Sequence, residues 1–387
     1  MVSLETVKHW KKVVNSYPYP KDDFERAKFQ FECLYMVRHS LKQESRWFVF
    51  KWNIISIVAF PFLLVVFLLK NLKHIAVERR SAVFTCPDQR YSFVYNDLPS
   101  IILEQYGVPQ LVNEKGLFKR GVLSNLIDKE AIKIVLKSTT KYPFHFFMNL
   151  GLLVNLSRYC SIVKKYQPEA IIVVQVEKYY TTSLLTKYCE SKGIKHICVQ
   201  HGDYFYEPRS SFFRVSEYYA WNKETIKQFE MERAELGVFS LYTPKRLMPS
   251  LKKNDHPQYY ITYYLQDNNL DSLKRISNVL SRFVKAGLPC SVRKHPRFTL
   301  PNEFEQLFKD VGVIIEPIDK VSLNDSLCNT EFIVAHFSTV LTEAIINGFN
   351  AVIDDYTESI VLLQELCYTN ISKTSLRLSS LIEETFA

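Results

Sequence analysis

Glycine is scarce in this chain, with 10 residues in 387, and no repeat of the length found in solenoid proteins runs along it. The scarcity argues against fibrous and low-complexity architectures, and the missing repeat argues against a solenoid. Hydrophobic residues make up 47% of the sequence and charged residues 23%, which is typical of a globular protein with substantial cores. The length predicts about two domains.

Paired cysteine motifs are also missing. No two of the 8 cysteines stand in a CxxC or similar zinc spacing, so we expect reduced, mostly buried thiols in a cytosolic protein. The first 50 residues are charged throughout, which argues against a signal peptide. The basic residues are not interleaved with stacking aromatics in any recognisable module, so we expect no nucleic-acid partner.

One apolar run stands in the basic N-terminal fifth of the chain. Residues 1–80 hold 14 Lys and Arg against 7 Asp and Glu, and the run Ile54–Leu69 has Ser56 as its single polar residue. A spanning helix needs about 20 apolar residues, Pro61 interrupts this run, and basic residues flank both its sides. We expect region 1–80 to be helical and to dock on an anionic cytoplasmic membrane surface, with the run dipping into the leaflet as a helix or helical hairpin. A buried core helix and a true span are the alternatives.

Beyond residue 80, strand and helix patterns alternate. The strand candidates are apolar with little alternation, which indicates a parallel sheet buried on both faces; they lie at 81–86, 169–176, 196–200 and 217–221. A polar stretch with two prolines, 248–258, predicts a linker, and regular βα units follow it. We therefore predict an α/β fold with two Rossmann-like domains facing a cleft, 81–250 for the acceptor and 251–387 for the donor, after the helical region 1–80.

Polar residues follow several of these strands, where open parallel sheets bind ligands. Ser338 and Thr339 open a helix whose unpaired N–H groups can bind phosphate, although helix capping alone also explains them. Glu343 on that helix could accept hydrogen bonds from ribose hydroxyls or be a surface acid. The stretch 293–297, RKHPR, places three fixed cations and His295 at a strand end. This cluster favours an anionic ligand such as a nucleotide phosphate over a merely solvated loop.

Another strand ends in Gln200, His201, Gly202 and Asp203. A turn needs Gly202 and tolerates Asp203, but it does not need the Gln and the His. Asp203, His201 and Glu177, which ends a neighbouring strand, are candidate general bases for an acceptor hydroxyl. The alternative is a simple turn with Gly202 at positive φ and Asp203 as a local cap.

A metal site is not expected. His201, His295 and His336 are the candidate ligands, but nothing in the sequence has metal-ligand spacing.

Two motifs carry a family resemblance. His295-Pro296 and Ser338-Thr339, in this order at βα junctions, resemble the His-Pro and Ser-Ser/Thr motifs of bacterial surface-polysaccharide glycosyltransferases of the GT-B fold. The similarity is to sialyl-, polysialyl- and Kdo transferases, which use CMP-activated acid sugars and contact the CMP through both motifs. The stretch 193–202, GIKHICVQHG, is similar to a strand that ends in Gln-His-Gly in capsule-synthesis transferases. The resemblance covers roughly residues 165–355.

The resemblance implies a CMP-linked nucleotide-sugar donor, no separate cofactor, and a lipid-linked or glycan acceptor in capsule, lipopolysaccharide or O-antigen synthesis. It also implies a peripheral or monotopic position on the cytoplasmic face of the bacterial inner membrane. The residues we predict for donor binding lie at strand ends of the C-terminal domain: Gln266, Arg293, Lys294, His295, Pro296, Ser338, Thr339 and Glu343.

The chain departs from this family in two respects. The sialyltransferases carry an acidic pair before a glycine, with the second acid as base, and the N-terminal half of this chain has no such pair. Gln-His-Gly together with His-Pro and a Ser-containing motif also resembles CDP-glycerol and CDP-ribitol phosphotransferases, which implies His201 as the base. A non-catalytic, membrane-associated polysaccharide assembly protein is the third hypothesis.

Overall fold

The computed structural model describes residues 3–37, 44–72, 75–86, 89–113, 122–266, 268–296, 302–357 and 359–387. These residues form two compact units. The N-terminal unit comprises residues 9–201 and 206–244, and the C-terminal unit comprises the chain up to Lys8, residues 202–205 and residues 245–387. Arg297 of the RKHPR stretch lies outside the described residues.

The N-terminal unit contains a parallel sheet. Its described strands are β1 (Ala82–Cys86), β2 (Gln110–Asn113), β3 (Ala170–Val173), β4 (Lys195–Val199), β5 (Glu217–Ala220) and β6 (Val238–Leu241), in the order β2-β1-β3-β4-β5-β6. The helices that precede or connect them are α1 (Leu4–Ser16), α2 (Asp23–Glu32), α3 (Glu44–Asn71), α4 (Ser100–Tyr106), α5 (Lys129–Lys141), α6 (Phe146–Tyr166), α7 (Thr182–Ser191) and α8 (Lys223–Met231). Both faces of β3 are buried, as its unbroken apolar sequence predicts.

Helix α2 is an integral part of this unit. Asp22 caps its N-terminus through a bond from the Glu25 amide, and its aromatic face, which includes Phe24 and Phe29, is buried. At its start, Arg214 donates to both carboxylate oxygens of Asp23, at 2.6 and 3.1 Å. Helix α2 therefore packs into the N-terminal unit instead of standing apart from it.

Helix α3 contains the whole apolar run as one continuous helix with Pro61 inside it, so the hairpin alternative is wrong. Two described helices, α3 from Trp47 onward and α6, are long and apolar enough to cross a membrane. The apolar window of α6 is 67% buried, as expected of a core helix, whereas that of α3 is 11% buried. The buried-core alternative for α3 is therefore also wrong.

The C-terminal unit is a second parallel sheet. Its described strands are β7 (Tyr259–Tyr264), β8 (Cys290–Arg293), β9 (Ile314–Ile315), β10 (Thr330–Ala335) and β11 (Asn350–Ile353), in the order β11-β10-β7-β8-β9. The helices are α9 (Leu270–Lys285), α10 (Asn302–Lys309), α11 (Leu323–Cys328), α12 (Thr339–Ile346), α13 (Ile360–Glu365) and α14 (Leu378–Phe386). Apolar clusters around Ile261 and around Ile333 form its core.

The order of these strands sets the position of the site. The chain begins at the central strand β7, builds outward through β8 and β9, and then returns to β10 on the other side of β7. The carboxyl ends of β7 and β10 therefore form the point where the strand order reverses, which is where doubly wound sheets bind ligands. The prediction of an α/β fold with two parallel sheets is confirmed.

Candidate functional site

Gln200 follows β4 directly and is fully buried. Its side-chain carbonyl accepts from the Trp221 amide at 2.7 Å, and its amide donates to Thr225 Oγ1 at 3.4 Å. Its main-chain carbonyl accepts from the Tyr242 hydroxyl at 2.9 Å. Gln200 thus joins the end of β4 to the β5–α8 connection, and the fold itself explains this residue.

Glu177 and His201 come together at the carboxyl ends of the neighbouring strands β3 and β4. Glu177 Oε1 lies 3.9 Å from His201 Nδ1, beyond a direct hydrogen bond. Cys198 Sγ lies 3.6 Å from the other carboxylate oxygen. Burial raises the pKa of Glu177 to about 7, although the positive charge of Lys178 opposes the shift. A carboxyl that titrates near neutrality beside an imidazole is an arrangement suited to proton transfer.

Asp203 has a different environment from the one the sequence suggests. Residues 202–205 belong to the C-terminal unit, whereas His201 belongs to the N-terminal unit. Thr342 Oγ1 on α12 donates to Asp203 Oδ2 at 2.5 Å. Burial raises the pKa of Asp203, and the hydrogen bond from Thr342 opposes this rise. We expected Asp203 on the acceptor side with His201, and the structure instead fixes it to the first turns of α12.

Gly202 does not have the positive φ expected of a tight turn. A Cβ atom built on it would lie 3.9 Å from Thr339 Cγ2, which is an ordinary contact. The turn alternative explained Gly202 by a positive φ, and this explanation is wrong. Neither the backbone conformation nor crowding requires a glycine at this position.

Helix α12 begins at the reversal point of the C-terminal sheet. Ser338 is its N-cap, with Oγ accepting from the Val340 amide at 3.3 Å, so the capping interpretation holds for this side chain. Thr339 is exposed in the first turn. The Tyr368 hydroxyl accepts from the Ser338 amide and donates to its carbonyl, both at 2.9 Å. The helix start is thus held in place, with its positive dipole end at the edge of the sheet.

His336 precedes this helix and is buried at the end of β10. Its Nδ1 lies 3.0 Å from the Asp354 carbonyl, which can only accept, so this nitrogen carries the proton. Its buried Nε2 has no hydrogen-bond partner among the described residues. In the neutral imidazole this Nε2 is an acceptor at the reversal point, and it suits a ligand hydroxyl.

Glu343 lies on α12 and is half-buried. Burial raises its pKa, and the negative charge of Asp203 adds to the shift while Arg246 opposes it. Two residues close to Asp203 were not predicted as site residues, Thr342 and Asn370. Asn370 Nδ2 donates to Thr342 Oγ1 at 2.8 Å. The only signal for Thr342 was its position one turn after Ser338 on the same helix.

The end of β8 divides the predicted basic cluster. Arg293 is buried and donates to Glu316 Oε2 at 3.0 Å and to the Val321 carbonyl at 2.9 Å. Arg293 is therefore part of a buried polar network, which corrects its assignment to the donor site. Lys294 and His295 are half-buried, and Pro296 is exposed. Lys294 Nζ lies 3.8 Å from the nearest oxygen of Glu305, which leaves it within reach of a ligand.

Gln266 lies just after β7, between the ends of β8 and β10 in the sheet order. Its main-chain amide donates to Asn268 Oδ1 at 2.7 Å, and the residue is half-buried. Because the strands are parallel, Gln266, His295 and Ser338 all lie at the same carboxyl edge of the sheet. Within the described part of the chain, no group of three or more His, Cys, Asp or Glu is placed to hold a metal ion.

No protein-family model matches the chain, and no curated protein matches it. Solved structures that align with it include UDP-N-acetylglucosamine 2-epimerase from Rickettsia bellii, at 13% identity over 71% of this chain and 79% of that chain, with a TM-score of 0.42. The UDP-GlcNAc 2-epimerase of Methanocaldococcus jannaschii, in complex with UDP-GlcNAc and UDP, aligns at 11% identity over 79% and 91%, with a TM-score of 0.45. MurG of Acinetobacter baumannii aligns at 13% identity over 79% and 90%, with a TM-score of 0.40. At these values the similarity decides neither fold nor activity, and the fold rests on the order of the parallel strands.

Proposed function

We propose that this protein is a nucleotide-sugar-dependent glycosyltransferase whose C-terminal unit binds the donor. The observation that carries the proposal is the start of α12 at the reversal point of a parallel sheet, capped by Ser338, with Lys294 and His295 following β8 at the same carboxyl edge. A helix N-terminus stabilises bound phosphate, and a lysine at the same edge of the sheet can stabilise the charge that develops on a departing phosphate.

A CMP-linked acid sugar is the donor in this proposal. The support is the resemblance of His295-Pro296 and Ser338-Thr339 to motifs that contact CMP in sialyl and Kdo transferases. His336 Nε2 and Glu343 supply acceptors for the ribose hydroxyls. The acceptor is a lipid-linked or glycan hydroxyl in capsule, lipopolysaccharide or O-antigen synthesis at the cytoplasmic face of the inner membrane.

His201 is the general base in this proposal, and the carboxyl of Glu177 beside it stabilises the positive charge that the imidazole gains. The neutral imidazole takes the proton of the acceptor hydroxyl, and the hydroxyl oxygen forms a bond to the anomeric carbon. The bond from that carbon to the phosphate oxygen breaks, and its electron pair leaves with CMP. We favour His201 over Asp203 because Asp203 is engaged with Thr342 of the donor unit, whereas His201 has a carboxyl 3.9 Å from Nδ1.

The His201–Glu177 pair also favours a second candidate, a CDP-glycerol or CDP-ribitol phosphotransferase. In that reaction the activated hydroxyl attacks the phosphorus next to the alditol, the bond to the bridging oxygen breaks, and CMP leaves. The donor pocket would be the same, and only the reacting atom differs.

Ligand-dependent thermal unfolding tests the shared part of both candidates. We expect CMP and CDP to raise the melting temperature by several degrees, and UDP and GDP to leave it unchanged, because binding to the folded state alone stabilises it. CMP release from CMP-Kdo or CMP-sialic acid would then support the glycosyltransferase, and release from CDP-glycerol would support the phosphotransferase. A melting temperature unchanged by every nucleotide would contradict both and favour the non-catalytic assembly protein.

A further inference from the structure

The N-terminal unit contains a cavity of about 350 Å³ that the proposed chemistry does not use. One wall is a single face of α6, formed by Gly151, Asn155, Arg158 and Tyr159, which recur at helical spacing. The turn after β3 forms another wall through Gln175 and its neighbours. Glu177 belongs to the same turn, between the lining residues Val176 and Lys178.

The lining of this cavity is positively charged. Arg158, Lys178 and Arg209 all contribute to it, and none of the described residues that line it is Asp or Glu. Glu207 lies 3.9 Å from Lys178 Nζ and forms an ion pair with Arg209. The buried acids Glu177 and Glu232 also interact with Lys178, and burial raises the pKa of both carboxyls, which favours their neutral form. The described lining itself presents three cations and no carboxylate around a largely apolar cavity, a combination that fits an anionic head group with a hydrocarbon chain.

Aromatic side chains connect the cavity to α3. Tyr35 and Phe147 line the cavity, with ring centroids 5.3 Å apart. The ring centroid of Phe147 in turn lies 6.0 Å from that of Phe48 and 5.7 Å from that of Trp52, and both of these residues are on α3. The apolar surface is therefore continuous from the cavity wall to the exposed helix.

Helix α3 is hydrogen-bonded to α6 near both ends of α6. The Phe147 amide donates to Asn53 Oδ1 at 2.8 Å, and Lys164 Nζ donates to the Asn71 carbonyl at 2.8 Å. The two helices therefore run parallel and side by side. Because α6 is a buried helix of the unit, α3 cannot cross a bilayer without taking α6 with it, and we infer that it lies along the membrane surface.

The outer face of α3 is apolar between Lys51 and Lys70. Val58, Phe62, Val65 and Leu69 are each more than half exposed, whereas Ser56 and Phe67 on the opposite face are fully buried. The apolar run 54–69 extends over about 24 Å at about 1.5 Å per residue. So long an apolar face exceeds what monomeric soluble proteins ordinarily expose, and its flanking Lys51 and Lys70 suit an anionic lipid surface.

We propose that the cavity binds the phosphate head of a long-chain lipid, which reaches it from the bilayer on which the outer face of α3 lies. As an acceptor site this inference rests on the proposed transferase function. Lipid binding itself needs no donor nucleotide, so the two can fail separately.

Binding of dodecyl phosphate to the full chain, measured by calorimetry without nucleotide, tests the cavity. We expect Arg158→Gln to weaken this binding about tenfold and Arg158→Lys to weaken it less, because one charge-assisted contact to phosphate is lost or kept. Lys165→Gln is the matched control, since it removes one charge from the same helix outside the cavity, and it should bind as the unmodified protein does. Equal affinity of Arg158→Gln and Lys165→Gln, with both variants folded by circular dichroism, would overturn the proposal.

Two further ligands separate the sources of the phosphate. Dodecyl maltoside carries the same chain without charge, and tight binding of it would contradict recognition of phosphate. A short-chain phosphatidylglycerol presents a phosphodiester. Stronger binding of dodecyl phosphate than of this diester would indicate a lipid-carrier monophosphate, and the reverse order would indicate a membrane phospholipid.

Co-flotation with vesicles of phosphatidylcholine and phosphatidylglycerol tests the membrane face. We expect Val58→Glu combined with Phe62→Glu to reduce the bound fraction at least tenfold, because two charges would enter the acyl region. Leu136→Glu combined with Phe144→Glu places the same charges on exposed apolar positions elsewhere in this unit and should float normally. Normal flotation of the α3 variant, or equal loss in both variants, would contradict the proposed orientation.

Discussion

At the scale of single residues, the carboxyl of Glu177 makes the sharpest prediction. Its folded-state pKa of about 7 lies above the ordinary value of 4.5, so the folded protein holds this proton more tightly than the unfolded chain does. The resulting stabilisation is complete below about pH 4.5 and is lost as the pH rises through about 7.

Replacing Glu177 with Gln removes this titration. The unmodified protein should lose unfolding free energy between about pH 5 and about pH 8 as this carboxyl ionises. We expect that loss to be about 2–3 kcal/mol smaller in Glu177→Gln, measured by urea unfolding at both pH values. Glu224→Gln, which changes an exposed carboxyl on α8, should leave the pH dependence unchanged. An unchanged pH dependence in Glu177→Gln would mean that this carboxyl titrates normally.

The choice of base is a second question at this scale. We expect His201→Gln to abolish turnover while leaving CMP affinity unchanged, because the imidazole acts on the acceptor and does not contact the donor. Asp203→Asn should keep turnover within about tenfold of the unmodified enzyme, since the amide can still accept from Thr342. Single-turnover kinetics with saturating CMP-sugar measures both. Full activity of His201→Gln together with loss in Asp203→Asn would assign the role to Asp203.

Arg293 shows why residue types alone misassign a site. The RKHPR stretch predicts a cluster of cations facing one ligand, but the side chain nearest the strand turns inward to Glu316. A side chain at a strand end faces either the sheet edge or a buried neighbour, and the carboxylate that decides between them lies 23 positions later in the sequence. Proximity of that kind is not visible in the spacing of a motif.

At the scale of elements, α12 combines a structural and a proposed functional task. We expect Ser338→Ala to cost about 1 kcal/mol of unfolding free energy through loss of the cap. It should also weaken CMP binding, because the start of the helix loses its fixed position beside the phosphate. Equilibrium unfolding and CMP titration measure the two effects separately.

Ser322→Ala is the matched control for this prediction. Ser322 caps α11 in the same unit through the Asp325 amide, at 3.1 Å, so its replacement removes a cap of the same kind away from the reversal point. It should lower stability similarly and leave CMP affinity unchanged. Equal weakening of CMP binding in both variants would show that capping acts only through general stability.

The apolar helix α3 illustrates what pattern and packing each contribute. The sequence predicts an apolar run with basic flanks, and the structure confirms that it is helical. Three placements were compatible with the same sequence, because a membrane span, a surface helix and a core helix are all apolar. The two hydrogen bonds to α6 and the exposed outer face exclude the core placement and carry the proposal of a surface helix.

At the scale of the whole molecule, each unit has its own core. Arg214 holds the N-terminal unit together by bonding both Asp23 on α2 and Glu190 on α7, at 2.6 Å to each. We expect Arg214→Ala to lower unfolding free energy by about 2–3 kcal/mol, because a half-buried network loses its cation. Calorimetric melting should show the loss, and CMP affinity should stay unchanged because the donor residues lie in the other unit.

Arg80→Ala, which removes an exposed cation from the same unit, should change stability by less than about 0.5 kcal/mol. A marked drop in CMP affinity in Arg214→Ala, with Arg80→Ala unaffected, would mean that donor binding depends on the N-terminal unit, against the proposed division of tasks.

The sequence by itself determined the periodic part of this protein. Unbroken apolar strands and amphipathic helices at regular spacing predict two parallel α/β sheets, because burial on both faces leaves a direct pattern in the chain. The edge strands β2 and β6 were not predicted, and the side chains of β6 are mostly exposed, so burial leaves little apolar pattern in it. Only the tertiary structure decided that Gln200 is structural, that Asp203 joins α12 and that Arg293 turns inward. These outcomes depend on contacts between residues far apart in sequence, such as Asp203 and Thr342, and local physics does not specify such contacts.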